Sequence, residues 1–276
     1  MIKTNFFTCA NAKYEFFIPI YTFFVLRNNP DALVEIVVED LAAIERLEPL
    51  RAKICDYFGS RFHIRTGDFN NKTPNIVRFV EVPEISAKYT YIADIDILIV
   101  EDVTVWHEKK MKELNLPHSN IIRKNSHRLT GLHFCLTEQH YPLNFNVHDI
   151  YAKPSSTDEV FLYKTYESKG LLPPPGHQSR PEHGIHVSLN RCPYDKKGWG
   201  MNPIFFEKTI DTINEIENSF VYSYFNKKSR WILNIIKLFV EAECIFDEKE
   251  LDGIRFLSRS KNEQRILNEF YLERKK

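Results

Sequence analysis

No CxxC pair occurs in this chain, and its five cysteines (Cys9, Cys55, Cys135, Cys192 and Cys244) are scattered and odd in number. That argues against a disulfide framework or a zinc knuckle and for a reducing compartment. No segment reaches about 18 uninterrupted apolar residues, so no transmembrane helix is expected. A basic segment followed by an apolar run and a cleavage site is also missing from the N-terminus. Net charge is absent: 37 Lys and Arg stand against 37 Asp and Glu, which gives no pull toward nucleic acid. No glycine-rich phosphate loop follows the first apolar segment, which lowers a nucleotidyltransferase reading. No nucleophilic Asp follows it either, which weakens a phosphohydrolase. Repeats and low-complexity tracts are lacking. The expectation is a cytoplasmic protein, with peripheral contact at the inner face of a membrane left open.

What is present is apolar and aromatic. Of 276 residues 43% are hydrophobic, with 13 Tyr and 21 Phe, enough for one large domain with a sizeable core. The first third alternates. A strand in "IKTNFFTCAN" precedes a helix in "AKYEFFIPIYTFFVLRNNP", where Pro19 is a blemish and Asn28-Asn29-Pro30 a stop. A strand in "DALVEIVVED", a helix ending at Gly59 and a short strand in "RFHIRTG" follow. This βαβαβ order predicts an α/β layer with a mostly parallel sheet. Further along, the pattern predicts a short helix from near Pro74, a strand over 89–100, a helix in "VTVWHEKKMKEL" and a strand in "RLTGLHFCLTEQHYP". A helix follows, capped at Thr157-Asp158, then a loop rich in Pro, Gly and His. The late strand "IHVSLNRCP" sets Ile185, Val187 and Leu189 on one face and His186, Ser188 and Asn190 on the other. From residue 203 the texture turns to consecutive helices.

Two carboxylates interrupt the apolar run "YTYIADIDILIVEDVTVW". On a strand, Asp94 and Asp96 point to one side, where two anions repel unless a cation, a shared proton or a basic partner joins them. A hard divalent ion, Mn²⁺ or Mg²⁺, suits such oxygen ligands. Read more plainly, they are acids where a strand leaves the core. In open α/β sheets, however, ligands gather at the carboxyl ends of strands. His186 is a candidate third ligand, and His183, three residues earlier, its rival.

The segment "YIADIDILIVEDVTVW" resembles the DxD segment of GT-A fold glycosyltransferases, nearest the retaining family that includes glycogenin and lipopolysaccharide galactosyltransferases. The resemblance spans roughly residues 4 to 200. It implies a GT-A, Rossmann-like single domain over 1–202, with a mixed, mostly parallel central sheet; the change of texture beyond it predicts a helical C-terminal extension over 203–276. It implies metal ligands at Asp94, Asp96 and His186 and a nucleotide-sugar donor, a UDP-sugar, cradled by Thr8, Ala10, Asn11 and Tyr14. Arg78 matches an arginine on the helix before the DxD strand, and Thr130 takes the place of a polar residue lining the sugar pocket. Asp158 and Glu159 stand where the family has an Asp-Gln pair near the reacting carbon. The chain departs after the late histidine: Leu189 replaces a Gly, and Cys192-Pro193-Tyr194 replaces Lys-Pro-Trp. The lysine that contacts phosphate is thus vacant, with Arg191 and Arg180 at hand; His177 and His183 share that loop.

The implied activity is transfer of a hexose to a hydroxyl of a glycan acceptor such as lipopolysaccharide or capsule, with retention. The leaving phosphate itself would accept the acceptor's proton. A nucleotidyltransferase, or an inactive carbohydrate-binding domain of the same fold, is the alternative. The stretch "FNKKSRWILNIIKLF" reads either as an amphipathic helix at a membrane interface or as a helix packing on the catalytic domain.

Overall fold

The structure, a computed structural model, describes residues 2–70, 72, 74–143, 157–175, 183–188 and 202–245. Six strands form the central sheet: β1 (Thr4–Ala10), β2 (Ala32–Val38), β3 (Phe62–Thr66), β4 (Tyr89–Ile92), β6 (His118–Ser119) and β7 (His133–Leu136), in the order β3-β2-β1-β4-β7-β6. The pairs β1–β2, β2–β3 and β1–β4 are parallel, whereas β4–β7 and β7–β6 are antiparallel. The sheet is therefore mixed and mostly parallel. Every residue of β1 and β2 is buried, as expected of parallel strands covered on both faces.

Helix α1 (Ile18–Asn28) and helix α2 (Leu41–Phe58) supply one cover. Their apolar residues pack with Phe6 and Ala10 of β1, while Phe7 and Cys9 on the alternate face meet Val77 of α3 (Pro74–Val80). Pro19 is no blemish: a 3-10 turn over Glu15–Phe17 precedes α1, and the proline sits in the helix's first turn, where a missing N–H costs nothing. Asp40 caps α2 by accepting from the N–H of Ala43 at 2.7 Å, and Gly59, at φ 80°, ends it.

The expected continuous strand over 89–100 is corrected. It breaks after Ile92; a turn closed by the N–H of Ile97 on the carbonyl of Asp94 (3.1 Å) leads to β5 (Ile97–Ile99). β5 leaves the main sheet and pairs antiparallel with β8 (Gly184–His186) in a separate two-stranded sheet. Between them in sequence lie α4 (Thr104–Leu114), a single helical turn α5 (Thr137–His140) and α6 (Asp158–Ser168). The strand expected over 128–142 is limited to β7, because α5 follows at once. Finally α7 (Phe206–Asn218) and α8 (Lys227–Ile245) pack with α1, and Ile213, Ile216, Ile232, Leu233 and Ile236 join the same core as the sheet. No helix among the described residues is long and apolar enough to cross a membrane.

Candidate active site

The chain runs outward from β1 through β2 to β3, then returns to lay β4 on the other side of β1. The carboxyl ends of β1 and β4 therefore meet where the strand order reverses, the usual ligand crevice of an open α/β sheet. A cleft of about 400 Å³ opens there. The hydroxyl of Thr8 joins the two strand ends by donating to the carbonyl of Ala93 at 2.8 Å. Asn11 and Tyr14, just beyond β1, line it together with Asp94, Asp96, His186 and Ser188. Ala10, expected in the nucleoside cradle, is instead packed in the core and does not line the cleft: its side chain alternates inward with Phe6.

One donor atom each from Asp94, Asp96 and His186 lie within 4.8 Å of one another. The strand break brings this about. Asp94 ends the path of β4, Asp96 opens toward β5, and β8 delivers His186 opposite Ile97. His186 Nε2 is 3.3 Å from Asp96 Oδ1. Two carboxylates and an imidazole, partly exposed to a cleft, fit Mn²⁺ or Mg²⁺ by the chemistry of the donor set. His183, the rival ligand, is turned away and fully buried, its Nδ1 2.6 Å from Glu101.

Arg78 lines the cleft and joins two carboxylates. Its Nη1 lies 2.5 Å from Asp94 Oδ1 and its Nη2 2.9 Å from Asp158 Oδ2. Burial works against its charge, yet Asp94 and Asp158 outweigh burial and raise its pKa. Gly131 closes on this cluster: a Cβ there would stand 2.9 Å from Arg78 Nη2 and 3.7 Å from the carboxylates of Asp158 and Asp94. Asp158 is the first residue of α6, beside the Thr157 cap. Glu159 faces a different partner, Arg123, in an ion pair; burial raises its carboxyl pKa and Arg123 opposes the rise. Thr130 lies off the cleft, its hydroxyl donating to Asn120 at 2.7 Å. Arg191, Arg180 and His177 lie outside the described residues, as do Leu189, Asn190 and the Cys192-Pro193-Tyr194 segment.

Sequence reasoning passed over Lys13 and Asn75, which also line the cleft. Lys13 lies within "FTCANAKY" and Asn75 follows the helix-starting Pro74, so chain proximity was a usable signal for both. Cys9 reaches the cleft as well, but burial pushes its thiol up to about 12, leaving it a poor nucleophile at neutral pH.

A second set of donors, His133, Cys135 and His140, also converges within 4.8 Å. Its hydrogen bonds account for it. The side-chain Oδ1 of Asn120 accepts from the N–H groups of Ile121 and Thr130, so its Nδ2 donates to His133 Nδ1 at 3.1 Å. His133 Nε2–H then donates to Tyr166 Oη (2.7 Å), and that hydroxyl donates to His140 Nδ1 (2.8 Å). A tyrosine hydroxyl occupies the space between the two imidazoles.

No protein-family model matches the sequence, and no curated protein matches it. Among solved structures, the chain is similar to the apo form of the glycosyltransferase GlyE of Streptococcus pneumoniae TIGR4, at 11% identity and a TM-score of 0.44. That match covers 61% of this chain and 44% of GlyE, so this chain spans less than half of that protein's length. It is similar to an active-site mutant of LgtC, at 10% identity and TM-score 0.45, over 71% of this chain and 90% of that one. It is also similar to TarS of S. aureus, at 11% identity and TM-score 0.42, over 94% and 73%. These are likenesses of form.

Proposed function

We propose that the chain is a metal-dependent glycosyltransferase that takes a UDP-sugar and transfers its hexose, with retention, to a hydroxyl of a glycan or glycolipid. The observation that carries this reading is the convergence of Asp94, Asp96 and His186 on a cleft at the carboxyl ends of β1 and β4. Held there, Mn²⁺ or Mg²⁺ supplies positive charge to a diphosphate leaving group. The chain's own residues do the rest. Arg78 is clamped by two carboxylates, so it orients Asp94 more than it offers free charge. Lys13 lines the same cleft without a charged partner among the described residues, and it is the candidate for the vacant phosphate-contacting lysine. Asp158 and Glu159 are both held in ion pairs, so neither stands as a free base. This favours the leaving phosphate as acceptor of the incoming hydroxyl's proton.

Calorimetry of UDP with and without Mn²⁺ tests the reading. Wild-type protein should bind UDP in a Mn²⁺-dependent way, and Asp96→Ala should lose that dependence. UDP binding indifferent to both metal and substitution would sink it. Lys13→Ala should weaken UDP about fivefold and leave uridine, which lacks phosphate, unchanged; equal loss for both ligands would remove Lys13 from the phosphate site.

A further inference from the structure

β8 is three residues long and carries His186 into the cleft. The buried face of Ile185 and Val187 favours this register, and a slip by one residue turns every side chain to the opposite face. Such a slip would bring Ile185 or Val187 to the carboxylates and drive His186 into the core. So short a ladder makes few pairing bonds, and contacts beyond it add to the hold on the strand. Two backbone bonds flank it: the N–H of Val100 donates to the carbonyl of His183 (2.9 Å), and that of Val187 to the carbonyl of Asp96 (2.8 Å). Gly184 lets the strand press against its neighbour, since a Cβ there would fall 1.6 Å from the carbonyl oxygen of Leu98.

Among the described residues, the side chain that anchors β8 from its N-terminal end is His183, only 2% exposed. Its Nδ1–H donates to Glu101 Oε1 at 2.6 Å, and its Nε2 is hydrogen-bonded to His107 Nε2 at 3.0 Å. Glu101 lies just past β5 and His107 on α4. His107 is itself fixed, its ring stacked on Phe134 at 4.7 Å. Tyr91 of β4 and Trp106 set their rings edge-on to His183. The imidazole is thus held from the main sheet, from α4 and from the turn between β5 and α4.

We infer that His183 is a positioning residue: the Glu101–His183–His107 chain pins the register of β8 and so aims His186 at Asp94 and Asp96. The inference rests on the metal-site reading above. Its test is Mn²⁺ affinity, measured by electron paramagnetic resonance of free Mn²⁺, beside thermal unfolding in metal-free buffer. His183→Leu removes both partners and should weaken Mn²⁺ on the order of tenfold in protein that remains folded. His183→Asn keeps a donor near Nδ1 for Glu101 and should fall between. His186→Leu, which removes the ligand, should do at least as much as His183→Leu. If His183→Leu does not fold, His183→Asn and Glu101→Ala are read instead, both expected to weaken Mn²⁺. Variants that lose thermal stability yet bind Mn²⁺ as wild type does, while His186→Leu is impaired, reduce His183 to a structural role and overturn the inference alone. Wild-type protein that binds no Mn²⁺, or unimpaired binding in His186→Leu, overturns the metal site and the inference with it.

Discussion

An imidazole buried without a carboxylate stays neutral, because leaving water penalises its charged form. His118 and His140 illustrate the rule, pushed by burial to about 4 and about 3 from the ordinary 6.5, and His133 is lowered for the same reason. The folded pKa values lie below the unfolded one, so between those limits the unfolded chain binds more protons. Stability is then complete above about pH 6.5 and is lost as pH falls toward 4 and then 3. Urea unfolding between pH 7.5 and 5 should show stability falling by up to about 1.4 kcal/mol per pH unit for each such histidine; a flat profile would contradict their burial as neutral groups. At pH 7.5, Tyr166→Phe should cost about 2 kcal/mol, since it leaves His133 Nε2–H and His140 Nδ1 buried without their shared hydroxyl. His183 differs in having a carboxylate, Glu101, against it, and the contrast separates a packing network of imidazoles and a hydroxyl from an anchor that ends on a carboxylate.

At the scale of elements, the break between β4 and β5 does the decisive work. The sequence pattern placed the acid pair correctly at the end of an apolar strand, because "YTYI" and "ILIV" are legible as buried runs. It did not reveal that the runs belong to different sheets. Both are fully buried, and their pairing partners distinguish them: β1 and β7 for one and β8 for the other. The same limit explains why the sequence does not separate Ala10 from its cleft-lining neighbours or His186 from His183, since both depend on which way neighbouring residues face. Arg78 was legible as a cation before the acid pair, whereas its clamp by Asp94 and Asp158 joins residues 80 apart and has no local signature. Gly131 is a case in point, since nothing in "RLTGLHF" announces that its missing side chain makes room for that clamp. Gly131→Ala should displace the guanidinium, lower stability by about 1 kcal/mol and weaken Mn²⁺ by loosening Asp94. Unaltered Mn²⁺ affinity would show that Arg78 can shift without disturbing its partner.

For the whole molecule, a division into a catalytic domain over 1–202 and a helical extension over 203–276 remains our proposal, and the packing sharpens what it can mean. The hydroxyl of Ser229 on α8 donates to the carbonyl of Phe16 at 2.7 Å, and Ile232, Leu233 and Ile236 are buried in the core that α1 and the sheet share. A chain cut after residue 202 should therefore fail to give a cooperative thermal transition, and a sharp transition in that fragment would establish an independent domain. The break between β4 and β5 also has a mechanical side. Asp94 is braced on the large sheet through Arg78 and Thr8's bond to Ala93, while His186 rides on the small one and Asp96 touches its far strand through Val187. An ion seated among the three would be a rivet driven through two plates: whatever loosened the small plate would loosen the hold on the ion, and whatever filled the cleft would stiffen the joint.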